Sequence, residues 1–289
     1  MSPALLLLLS PAFPTTPQVK PAERYQSKLT SGGVERDYIV RVPAGTEPKP
    51  LVVVLHGYTG SGSLAEVYTR MGPQAERRGY ISVYPDGLGD PRGWNVGFMD
   101  LSGRGQDDAQ FVMQLVDAVS AKTSVDPKRV YVCGHSNGAF LTHVVAAKFG
   151  SRIAAAAAVA GTIGLRRPQI PAPKAKVPML IIHGVKDPTV GFATNSDALL
   201  KSYGARDTAT WWAAQNGITA KPKETKPNVD HEWLTEWRGT SPRQVVTLVS
   251  LPTAYHEWPG GLTRSGPETR SGADATKTIL DFFDRQRLD

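Results

Sequence analysis

Three residues of this chain have the types and spacing of a relayed nucleophile: Ser136 in Gly134-His135-Ser136-Asn137-Gly138, then Asp187, then His256. A serine hydroxyl is a poor nucleophile until an imidazole removes its proton, and a carboxylate orients that imidazole and stabilises its charged form. Each of the three follows a stretch that reads as a β-strand. G-x-S-x-G between the apolar run Val130–Val132 and a helical pattern (Leu141, Val144, Val145) predicts a sharp strand-to-helix turn that pushes the hydroxyl clear of the sheet edge. An ordinary turn with an exposed serine would leave the same pentapeptide, so the weight lies on the set of three. The helix N-terminus after Ser136 presents free N–H groups suited to a developing oxyanion, with Asn137 first among them. The second donor is expected from Tyr58 or Thr59, in the Gly-rich loop after the strand Leu51–Leu55. Among the six histidines, only His256 stands after the last strand and before the terminal helix. His56 heads a His-Gly turn and is expected to be structural, His143 falls inside the elbow helix, and His231 lies in an unpatterned stretch.

The elements that must position these residues alternate strand and helix throughout. Tyr25–Leu29 and Arg36–Val42 flank Ser31-Gly32-Gly33 as a hairpin. Leu51–Leu55, Ile81–Tyr84, Ile153–Val159, Met179–Ile182 and Val245–Leu251 read as strands, the continuous apolar runs being those of a sheet buried on both faces. Helices are expected over Ser63–Arg78, divided at Pro73, and over Asp107–Lys122, Asn195–Tyr203, Thr208–Asn216 and Asp274–Arg287. Asp107 and Asp108 fall in a first helical turn, where they favour the helix dipole; no catalytic pair is assigned to them. Lys221–Arg238 has no period and reads as a surface excursion. The fold class is therefore α/β, with a mostly parallel central sheet and helices on both faces. Residues 23–289 are expected to form one catalytic domain.

Trp94, in a Gly-rich loop, is a candidate substrate wall, with packing against the body as the equal alternative. The same pair of roles stands open for Trp258, two residues beyond His256. An excess of 33 basic over 26 acidic residues gives a net charge of +7. The basic residues are scattered, so a solvated surface is expected and nucleic acid is not a partner. One cysteine, Cys133, excludes an internal disulfide and any cysteine-based zinc site. No metal and no cofactor are called for. Residues 1–22 carry the apolar run Ala4–Leu9 and then a Pro/Thr-rich stretch, too short to span a membrane and similar to the end of a secretory signal. A secreted or periplasmic monomer is expected, with a disordered cytosolic tail as the alternative reading of the N-terminus.

The stretches LHGYTGSG, VYPDGLG, GWN, DDAQFV, VYVCGHSNGAF, IHGVKDPTV, WWAAQNG and YHEWPGG resemble, in order, the extracellular polyhydroxybutyrate depolymerase/feruloyl esterase family, the carbohydrate esterase family 1-like branch of α/β-hydrolases. The similarity runs from about Arg36 to Arg285, and the chain order Ser, Asp, His is that of α/β-hydrolases. The resemblance implies an α/β-hydrolase fold, a Ser136–His256–Asp187 triad and an oxyanion hole at the backbone of Tyr58 and Asn137. The reaction would be hydrolysis of feruloyl or acetyl esters of polysaccharide, or of hydroxyalkanoate esters, small or polymeric, without cofactor. Many members carry cysteines where this chain has Tyr58 and Ile218, so their disulfide cannot form here. A peptidase or thioesterase would use the same triad. A non-catalytic carbohydrate-binding protein presenting Trp94, Trp233 and Trp258 is the reading from another class.

Overall fold

The structure, a computed structural model, describes residues 20–97, 99–164, 170–194, 197–200, 202–225, 232–262 and 272–289. The N-terminal segment read as a signal lies, but for its last residues, outside them. In chain order the elements are β1 (Glu23–Ser31), β2 (Val34–Val42), β3 (Lys49–Leu55), α1 (Gly62–Tyr68), α2 (Met71–Arg77), β4 (Ile81–Pro85), α3 (Asp108–Ser120), β5 (Val125–His135) and α4 (Asn137–Phe149). They continue as β6 (Ala155–Val159), β7 (Met179–Gly184), α5 (Ala205–Gln215), β8 (Lys223–Thr225), β9 (Trp233–Arg238), β10 (Val245–Leu251) and α6 (Ala275–Phe283).

Among the described residues ten strands form one sheet in the order β1-β2-β4-β3-β5-β6-β7-β10-β9-β8. The run from β4 to β10 is parallel, and the hairpins at both edges are antiparallel. The parallel strands are buried along most of their length because helices cover both faces. Phe111, Leu141 and Trp212 of α3, α4 and α5 pack on one side. Ala65, Met71 and Phe283 of α1, α2 and α6 pack on the other. A parallel sheet sends all its strand C-termini to one edge, so the loops after β3, β5, β7 and β10 share that edge.

Four expectations are corrected. The break between the first two helices is not at Pro73 but at Arg70, whose φ of 55° is left-handed. Pro73 sits in the first turn of α2, where its missing N–H has no carbonyl to meet. The described part of Asn195–Tyr203 is not helical: Leu199 and Leu200 donate to the carbonyls of Pro188 and Thr189 (3.0 and 2.8 Å), folding the segment onto the Asp187 loop. The expected surface excursion at 221–238 contains β8 and β9, which extend the sheet past β10; His231 is outside the described residues.

The fourth correction concerns Asp108. Its side chain is fully buried and paired with Arg36 of β2, whose guanidinium lies 4.1 Å over the Phe111 ring. Burial pushes the Asp108 carboxyl up against the pull of Arg36, and its other oxygen accepts the Asn95 N–H at 2.6 Å. Removing one member of a buried pair strands the other charge. Asp108→Asn or Arg36→Met should therefore lower the unfolding free energy by about 3–5 kcal/mol in urea titrations. Asp107→Asn, which alters only the exposed helix cap and its Lys148 pair, should cost about 1 kcal/mol or less. Equal losses would contradict the difference in burial.

Candidate active site

β5 delivers Ser136 directly into α4, and the turn between them is strained. Ser136 has φ 54° and ψ −117°, a region that a non-glycine residue occupies only when its surroundings hold it there. Its N–H donates to the Val159 carbonyl at 2.9 Å, and its own carbonyl accepts the N–H groups of Ala139 and Phe140. Close approach explains the glycine that follows: a Cβ on Gly138 would lie 2.4 Å from the Leu55 oxygen and 2.5 Å from that of His56. Glycine there lets α4 start against the end of β3.

His256 and Asp187, the candidate base and acid, lie on the loops after β10 and β7, which are neighbours in the sheet. A Cβ on Gly184 would meet the carbonyls of Ala254 and Tyr255 at 2.5 Å. With none there, Val185 and Lys186 donate to the carbonyls of Leu251 and Ala254 (2.9 and 3.1 Å) and tie the acid loop to the base loop. The His256 Nδ1 lies 2.8 Å from Asp187 Oδ2, and its Nε2 lies 2.8 Å from Ser136 Oγ. A carboxylate only accepts, so Nδ1 carries the proton and Nε2 is left to accept from the serine. Asp187 Oδ1 takes the N–H groups of Thr189 and Val190 at 2.8 and 2.9 Å. Burial alone would raise this carboxyl; the His256 contact and the backbone donors outweigh it and hold the group below the ordinary carboxylate range.

Of the two candidate donors after β3, Thr59 spends its N–H on the Arg92 carbonyl at 2.8 Å. Of the two, Tyr58 therefore remains the candidate to pair with the N–H of Asn137.

Both tryptophans depart from the wall reading. Trp94 is fully buried, its Nε1 donating to the His56 carbonyl at 2.8 Å. Trp258 is 3% exposed and donates to Thr276 Oγ1 at 3.0 Å, with its ring edge-on to Tyr68 and His135. Neither offers a face to a ligand; both pack the loops that carry the site. Trp233, at the far edge of the sheet on β9, is exposed. His56 is structural, as expected: its Nδ1 meets the Gly57 carbonyl at 2.7 Å and its Nε2 accepts the Gly87 N–H at 2.9 Å.

His183, which the sequence places in a His-Gly turn beside Asp187, was given no role. It is buried, donates Nε2–H to the Val190 carbonyl at 2.8 Å and stands 3.5 Å from Asp187 Oδ2. The signal was its place four residues before Asp187 across a tight turn. Burial lowers its pKa. Burial also pushes His56 and His143 down to about 4, and His135, whose ring centroid lies 5.2 Å from that of His256 in a tilted arrangement, to about 3.

These shifts fix a pH dependence of stability. Held neutral in the folded state, the imidazoles take up protons near pH 6.5 only after unfolding. The unfolded chain therefore binds more protons than the folded one between about pH 4 and 6.5, and stability falls as pH falls through that window. Each such histidine contributes a slope of up to ~1.4 kcal/mol per pH unit. Thermal melts should show the midpoint dropping steeply from pH 6.5 to 4.5 and staying flat from 6.5 to 8. His143→Gln should flatten the acid side. A midpoint independent of pH below 6.5 would contradict the burial of these rings.

Residues 37–168 match the model of the esterase PHB depolymerase family, a stretch that contains Tyr58, Trp94, Ser136 and Asn137. Over that stretch, which is less than half of the chain, the sequence is similar to this family. Beyond it, similarity continues: feruloyl esterase B of Piromyces equi is 29% identical over 218 residues, covering 71% of this chain and 40% of that protein. The poly(3-hydroxyalkanoate) depolymerase C of Paucimonas lemoignei is 38% identical over 124 residues, 42% of this chain and 30% of that protein. The chain thus spans less than half the length of either. The solved acetyl xylan esterase from Aspergillus awamori superposes with a TM-score of 0.67 over 90% of this chain and 99% of that one, at 18% identity. The fold is the α/β-hydrolase fold.

Proposed function

We propose that the chain is a serine carboxylic-ester hydrolase working through an acyl-enzyme, with Ser136 as nucleophile, His256 as acid and base, and Asp187 as the orienting carboxylate. The observation that carries this is the unbroken relay of two 2.8 Å contacts from Asp187 through His256 to the Ser136 hydroxyl. His256 Nε2 takes the hydroxyl proton as Ser136 Oγ attacks the ester carbonyl. The N–H groups of Tyr58 and Asn137 receive the negative oxygen. The intermediate collapses with the proton passing from Nε2 to the departing alcohol. Water then repeats the sequence on the acyl group and frees Ser136.

Exposed side chains with apolar surface accompany each part: that of Tyr58, whose N–H is the donor, Val185 two residues before the acid and Tyr255 just before the base. They favour an apolar or aromatic acyl group over a charged one. Feruloyl or acetyl groups on polysaccharide, or hydroxyalkanoate esters, fit that rim and agree with the names of the relatives. The apolar N-terminal run supports export; among the described residues no helix is long and apolar enough to cross a membrane. Of the three rings named for a non-catalytic carbohydrate binder, Trp94 and Trp258 are buried and Trp233 alone is exposed, which weighs against an aromatic binding platform.

A panel of p-nitrophenyl acetate, p-nitrophenyl butyrate, methyl ferulate and hydroxybutyrate oligomer, run beside a peptide and a thioester, tests the assignment. Turnover of at least one oxygen ester above peptide and thioester is expected. Preference for peptide would overturn it.

A further inference from the structure

We propose that Trp94 and the Asn137 carboxamide are positioning residues that bracket both oxyanion donors; the inference rests on the hydrolase reading above. Asn137 is the residue whose backbone N–H the hydrolase reading assigns to the oxyanion, and its side chain is buried. There its Oδ1 accepts the Trp94 N–H at 2.7 Å and its Nδ2 donates to the Trp94 carbonyl at 3.3 Å. A carboxamide laid against one residue's N–H and C=O fixes both the distance and the rotation of the residue that bears it. The indole of Trp94 then reaches the other donor. Its Nε1 holds the carbonyl of His56, two residues before Tyr58, and its ring lies 4.7 Å from the His56 imidazole.

One residue is thus hydrogen-bonded to both segments that carry a donor. Trp94 is itself anchored: its neighbour Asn95 donates to Asp108, held in turn by Arg36. A preorganised donor stabilises an oxyanion because it need not reorient as charge develops. A loosened one loses that advantage while leaving ester binding largely intact.

The substitution Asn137→Ala keeps the backbone N–H and removes the clamp. It should lower kcat for an oxygen ester by about a hundredfold, the effect of losing a donor, with KM changed little. A structural role alone would lower the amount of folded protein, so a second readout is needed. The sulfur of a thionoester accepts hydrogen bonds poorly, so its hydrolysis draws little on the two N–H groups. The ratio of oxygen-ester to thionoester rates should therefore fall by roughly the same factor in Asn137→Ala. Trp94→Phe, which keeps the ring and the main-chain clamp but loses the Nε1 donor, should show a smaller fall of the same sign, and it carries the test if Asn137→Ala does not fold. A wild-type ratio in the folded variants would overturn the proposal, even if their melting points drop. The two readings fail separately: activity retained by Ser136→Ala removes the hydrolase assignment, whereas an inactive Ser136→Ala beside an Asn137→Ala of wild-type ratio removes only the bracket.

Discussion

Replacing Ser136 by alanine should lower kcat toward esters by roughly a thousandfold or more, and by as much as ~10⁶ if the three residues act as one unit. The loss should come without unfolding. The hydrogen bonds through which Ser136 holds the elbow are made by its backbone, to Val159, Ala139 and Phe140. The Ser136 hydroxyl hydrogen-bonds to His256. The strained φ of 54° is no easier for serine than for alanine. Circular dichroism and melting temperature should therefore match the parent while turnover disappears. Full turnover with an unchanged spectrum would remove Ser136 from the chemistry and leave the elbow as a turn.

Asp187→Asn should lower kcat by ~10⁴ with KM nearly unchanged. Asparagine keeps an oxygen for the N–H groups of Thr189 and Val190, so the loop retains its shape. Toward His256, however, either the amide nitrogen opposes Nδ1–H or the amide oxygen repeats the acceptor at the loss of the negative charge. In the first case the imidazole moves its proton to Nε2, where it faces Ser136 Oγ and cannot accept. In the second the imidazolium formed during attack is no longer stabilised. Steady-state kinetics on one soluble ester measure the effect. A loss of less than tenfold would mean that another group orients His256. The other carboxylates considered from the chain pattern, Asp107 and Asp108, stand at the N-terminus of α3 and are committed to Lys148 and Arg36.

Much of this arrangement was legible before any coordinates. Buried parallel strands leave continuous apolar runs, so Leu51–Leu55 and Val245–Leu251 announced themselves, and the glycines at 134 and 138 marked the elbow. The edges were not legible. β8 is exposed at every position and only three residues long, and β9 alternates around tryptophans; neither carries an apolar run. The segment up to Tyr203 shows helical composition but is held by single bridges to Val190 and Gly164, a tertiary outcome that local preference does not encode.

The same limit applied inside the site. Asp108 read only as a first-turn carboxylate favouring the helix dipole, because its buried partner, Arg36, lies 72 positions away. Trp94 and Trp258 were candidates for a ligand wall on chemical type alone, since an indole suits both a wall and a core. Only packing distinguishes the two, and here each indole N–H is committed to a protein acceptor. The side chain of Asn137 carried no signal at all; its neighbour in space comes from a loop 43 residues earlier.

The central claim is that Ser136 is acylated during turnover, and rapid mixing with a chromogenic ester followed by acid quench and peptide mass mapping tests it most directly. The expected result is a burst of alcohol approaching one equivalent per chain, with the acyl mass on the peptide that contains Ser136 and no adduct in Ser136→Ala. Full steady-state activity with the acyl mass on a different residue, or with no burst and no adduct under conditions where deacylation is slowed, would contradict the account.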